Sequence, residues 1–104
     1  MTITNFQVGT GTGTEAFAAT ADTAVTAMYI TNKSSSDGNV DVYVVPSGET
    51  VSENFKIYNN LLVPAEDTYV IDSEKLILEN GDKIYVAAPD SAAQFNTTIS
   101  TIGL

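Results

Sequence analysis

The chain is predicted to be all-β: an antiparallel β-sandwich of Ig-like or jelly-roll type, with roughly seven to nine short strands in its 104 residues. Three observations predict this. The apolar runs are short, their residues alternate at a period of two, and turn chemistry separates them about every ten residues. Residues 61–86, LLVPAEDTYVIDSEKLILENGDKIYV, show all three. Each run there is too short for an ordinary helix and is rich in β-branched or aromatic residues. Leu76 and Leu78 share a face of their run, as Ile84 and Val86 do of theirs. Between them, Glu79-Asn80-Gly81-Asp82 predicts a hairpin connection, with Asn80 and Gly81 best suited to positive φ.

The other elements follow in order. Residues 1–8, MTITNFQV, set Ile3 and Gln7 against Thr4, Phe6 and Val8 and predict a short first strand. GTGTGT follows at 9–14, a good hinge. Residues 1–13 are therefore expected to be a flexible N-terminal strand or arm, either a flexible tip or linker or an arm that leaves the body and pairs with a neighbouring subunit, and 14–104 a single sandwich domain. The glycines do not match a phosphate loop, because no GK[ST] and no helix follow them. Residues 15–20 and 24–32 flank a turn. In the second, Met28 and Ile30 face in and Ala27, Tyr29 and Thr31 face out. Val25 is out of phase with Met28, which predicts a bulge or burial on both sides. KSSSDGN at 33–39 is a loop turning on Asp37-Gly38. VDVYVV at 40–45 puts Val40, Val42 and Val44 on one face and Asp41, Tyr43 and Val45 on the other. Pro46-Ser47-Gly48-Glu49 closes it. Residues 55–63 form one long strand or two, broken at Asn59-Asn60. Phe55 and Ile57 are expected in the core before the break, Leu61 and Val63 after it. Pro64 lacks a ladder donor and belongs at a strand end or edge. After a turn at 88–91, residues 94–102 make the last strand, anchored by Phe95 and Ile99.

Composition bounds the chemistry. A hydrophobic content of 43% excludes wholesale disorder. At this length roughly two-thirds of the unfolded surface can be buried, so a core forms without staples. There is no Cys, hence no disulfide or thiol chemistry, and the redox compartment is not constrained. There is no His, which excludes zinc sites of the usual kind and histidine-based catalysis. No apolar run approaches a membrane span, and the first residues lack the pattern of a signal peptide, so none is expected. Four Lys, no Arg and thirteen acids give a net charge of −9. Phosphate repels such a chain, so nucleic acid is excluded as a partner.

The only titratable material for catalysis is carboxylate. Glu66-Asp67 are neighbours that point apart, while Asp72, Glu74, Glu79 and Asp82 read as turn residues. No enzyme, catalytic residue or cofactor is expected. A calcium ion would use Asp37, Asn39 and Asp41, but the EF-hand pattern is absent and no metal is expected. Tyr43, Tyr58 and Tyr85 are more informative. By alternation Tyr43 and Tyr85 lie opposite the aliphatic residues of their strands, either as a cross-strand aromatic pair or as a contact surface. With Phe6 on the arm, these three are the candidate interface residues.

The succession TAVTAMYITN, a Ser/Gly loop, VDVYVVPSG, LLVPAEDTYVI, KLILENGDKIYVAA and a final β segment resembles small virion structural proteins of tailed bacteriophages, of the marine and cyanobacterial type. The likeness covers roughly residues 14–102 and rests on turns and core positions. It implies a non-enzymatic particle component that decorates or reinforces the capsid, or a small tail, baseplate or fibre module. It also implies a homo-oligomer with other virion proteins as partners, made in the host cytoplasm and located in the virion, binding neither nucleic acid nor membrane. The alternative is a host-surface carbohydrate-binding module of a phage tail. With no Trp in the chain, Tyr29, Tyr43, Tyr58, Tyr69 and Tyr85 would have to supply its stacking surfaces.

Overall fold

The computed structural model describes residues 2–8, 14–72, 76–89 and 95–104. The strands are β1 (Thr2–Gln7), β2 (Thr14–Ala18), β3 (Thr23–Asn32), β4 (Gly38–Val45), β5 (Lys56–Val63), β6 (Thr68–Ile71), β7 (Leu76–Leu78), β8 (Lys83–Ala87) and β9 (Phe95–Gly103), with one 3-10 turn at Glu53–Phe55. They build two antiparallel sheets. The first has the order β1-β9-β3-β6, with β7 also on β3; the second has the order β2-β8-β4-β5. β6 pairs with Met28 to Thr31 of β3 and β7 with Thr23 to Val25, so the two act as one interrupted strand. Counted that way, each sheet has four strands, and the chain alternates between sheets at every step except the β4–β5 hairpin. This is jelly-roll order, which decides between the two sandwich types expected.

Alternation explains the core. Val25, Met28, Ile30 and Ile99 point inward from the first sheet and Val40, Val42, Ile84 and Val86 from the second, all buried. Each such side chain contributes roughly 1.5–3 kcal/mol relative to exposure. The β3–β9 register shifts between Val25 and Ala27, the bulge that the phase break at Val25 predicts. Asn32 closes the end of β3. Its buried Nδ2 donates to the carbonyls of Ser36 (2.9 Å) and Val63 (3.0 Å), and its Oδ1 accepts from the Ser34 N–H (2.9 Å). It thereby ties β3 of the first sheet to the end of β5 in the second.

Three expectations are corrected. The first concerns residues 79–82, which are not a hairpin. β7 lies in the first sheet and β8 in the second, so the segment is a corner between sheets. Asp82 holds it, accepting from the N–H groups of Ser47 and Glu79 at 2.9 Å each. Gly81 has φ +96°, and a Cβ there would run into the Ser47 side chain. The second concerns Ile57, which is 45% exposed, while its neighbour Tyr58 packs against the core. Asn60 takes φ +57° and bulges β5, with its N–H held by Asp41 Oδ1 at 2.7 Å. The strand's phase before the bulge is therefore the opposite of that expected, and Phe55 lies in the 3-10 turn instead of the main core. The third concerns the N-terminus. Residues 2–7 form the edge strand β1, paired along its length with β9 of the same chain, rather than an arm leaving the body. Residues 9–13 and the side chain of Phe6 lie outside the described residues.

Candidate interaction face

The outer faces of the two sheets differ. On the second sheet, the chain covers its own surface. Tyr43, Val45 and Ala87 form a second buried cluster, against which Val51 and Phe55 pack from the segment after β4. Tyr43 stands directly opposite Tyr85, so the cross-strand aromatic pair exists, but Tyr43 is only 2% exposed. The Lys56 ammonium lies 5.5 Å from the Tyr43 ring centroid, 2.8 Å from Glu53 and 3.5 Å from Asp41. A hydrogen bond to Glu53 raises the Lys56 pKa above its ordinary value of 10.5; burial opposes it, and the charge of Asp41 adds a lesser push in the raising direction. Tyr58 packs against the main core from β5. Of the predicted interface residues, Tyr43 is therefore core, Tyr58 and Tyr85 are partly buried against cores, and the Phe6 side chain is not described. Alternation assigns Tyr43 to the correct face. It gives no sign that residues 46–55 fold back over that face.

On the first sheet nothing among the described residues covers the outer face. Its rows follow from the register. Ile77, Ala24 and Ile102 form one row; Ala27, Ser100 and Ile3 the next. Val70, Tyr29, Thr98 and Asn5 form the third, and Thr68, Thr31, Asn96 and Gln7 the last. Ile77 is 62% exposed, Ile3 63%, and Tyr29, Val70 and Ile102 are also well exposed. No residue of β1, β3, β6, β7 or β9 is charged. The strand-borne charges all lie in the second sheet, where Lys83 sits 3.6 Å from Glu15 and Lys56 near Asp41. Sequence reasoning missed this face. The signal was present as a lack of charge, which becomes visible only once strands are assigned to sheets.

The polar end of the face holds a shallow depression of about 390 Å³ lined by Asn5, Gln7, Thr31, Asn96 and Thr98. Thr98 donates to Asn5 Oδ1 at 2.6 Å, and Thr31 and Thr68 share a hydrogen bond at 3.1 Å. The Gln7 and Asn96 side-chain amides make no hydrogen bond among the described residues. Nothing lining this depression titrates. Another, of about 330 Å³, lies where Phe17 and Thr23 meet Thr101 and Leu104, with Asp22 the one ionisable side chain lining it among the described residues. Among the described residues no three acidic, His or Cys side chains gather to hold a metal. The residues considered for calcium each have another partner. Asp37 accepts from the Ala65 N–H, Asn39 donates to the Asn60 carbonyl, and Asp41 serves Asn60 and Lys56. Among the described residues no helix is long and apolar enough to cross a membrane. Comparison with protein-family profiles, curated proteins and solved structures finds no match to this chain.

Proposed function

We propose that the chain is a non-enzymatic structural protein of a tailed-bacteriophage virion, a small sandwich that decorates or reinforces the capsid or forms part of the tail or fibre. The observation that carries this reading is the charge-free outer face of the first sheet on a chain of net charge −9. A solvated acidic domain gains nothing from exposing Ile3, Tyr29, Val70, Ile77 and Ile102 together, whereas a subunit in an assembly needs such a face. Jelly-roll order adds support by analogy of fold, since viral coat domains use it. The test is quantitative mass spectrometry of purified particles from the phage that encodes the chain. A fixed copy number per particle supports the reading; absence from the particle refutes it.

A carbohydrate-binding role is the second reading, favoured by the neutral amide- and hydroxyl-lined depression beside Tyr29. Tyr43 and Tyr85 no longer serve it, because Tyr43 is buried and Tyr85 packs against its cluster. A glycan array reads it out: binding lost in Tyr29→Ala and Asn96→Ala supports it, and an array without hits removes it.

A further inference from the structure

We infer that the outer face of the first sheet docks on the same face of a second copy of this chain, giving a two-fold dimer of stacked sheets. The inference deepens the assembly reading by naming the face and its occupant. Three arguments select a second copy. The first is size. Four strands about 4.8 Å apart, along a nine-residue β9 rising about 3.4 Å per residue, span a footprint of roughly 600 Å². Side-chain relief adds to this, and a stable dimer buries about 800 Å² per partner. The second is charge. Two copies each carrying −9 repel wherever acidic surfaces meet, and this face is the one whose strands bring no charge to the contact. The third is self-complementarity. A two-fold axis running along the strands between β9 and β3 lays each row on the same row of the copy with the strand order reversed, so the row of Ile77, Ala24 and Ile102 meets its own row and β9 meets β3. It also lays the amide row on itself. Amides both donate and accept, so on that axis Asn96 and Gln7 can pair with the Thr31 and Thr68 hydroxyls of the copy. A lysine or carboxylate row could not do this.

The test is light scattering on the purified full chain, with far-UV circular dichroism to verify folding. The expected mass is twice the 11.0 kDa of one chain. Ile77→Asp and Tyr29→Asp, both at exposed positions, keep the fold and raise the dimer dissociation constant by about 100-fold, because an unpaired charge is then buried. Ile57→Asp, also exposed but on the second sheet, leaves the dimer intact. A chain of 11.0 kDa at millimolar concentration overturns the inference. So does a dimer that survives both face substitutions, or one that Ile57→Asp dissolves equally. Such results leave the virion reading to the particle composition, so the two failures are distinguishable.

Discussion

Replacing Tyr43 by Ala separates a core residue from a contact residue. The side chain is 2% exposed and is enclosed by Val45, Ala87, Val51, Phe55 and Tyr85, with the Lys56 ammonium 5.5 Å from its ring. Truncating a buried aromatic costs about 3–5 kcal/mol. The Tyr43 cluster is small and can partly collapse, which favours the lower end, while loss of the cation–π contact adds about 0.5–1 kcal/mol. We expect a loss of about 3.5–4 kcal/mol, a large part of the roughly 5–15 kcal/mol that holds a domain of this size together. The melting temperature should fall by about 15 °C. Urea unfolding followed by circular dichroism measures the loss, and light scattering on the same sample measures association. Tyr43→Phe, which keeps the ring, should stay within about 0.5 kcal/mol of the parent chain. Ile77→Asp should show the reverse pattern, with stability kept and association lost. A Tyr43→Ala variant that loses less than about 1 kcal/mol but no longer associates would refute both assignments.

Further outcomes follow from single side chains. Asn32→Ala removes three hydrogen bonds, one buried and two part-buried, and leaves their partners short, so it should cost about 3 kcal/mol in chemical unfolding. Thr97 is fully buried, and its hydroxyl has no partner among the described residues. Thr97→Val should therefore stabilise by about 1 kcal/mol, read as a higher urea midpoint. The pKa of Lys56 is raised, so its ion-pair contribution is complete below the ordinary value of 10.5 and is lost only as pH climbs through the raised one. Glu53→Gln removes the largest cause, and alkaline unfolding should begin at lower pH than in the parent chain.

Much of the fold is legible from alternation alone. Val40, Val42, Ile84, Val86, Phe95 and Ile99 are buried as their periodicity requires, and the phase break at Val25 marks a real bulge. Pairing is not legible, because period two fixes a residue's face but not its neighbour strand. Glu79-Asn80-Gly81-Asp82 has hairpin chemistry, yet Asp82 uses its carboxylate to anchor a corner between sheets. Local turn preference is the same for both uses. Ile57 and Tyr58 exchange roles because the Asn60 bulge resets the phase, and its anchor is Asp41, nineteen residues away in sequence. The contact face shows the same limit. Tyr43 and Tyr85 look like an exposed pair until residues 46–55 are seen to cover them. Tyr29 is assigned outward by alternation, but its neighbours Val70 and Thr98 come from strands that only the register identifies.

Sedimentation equilibrium of the unaltered chain, run from about 0.05 M to about 1 M salt, tests the central claim most directly. A neutral face joining two copies of charge −9 predicts a two-chain mass whose dissociation constant falls as salt screens the surrounding acidic repulsion. A single-chain mass at every salt concentration, or a dimer that salt dissolves, would contradict it.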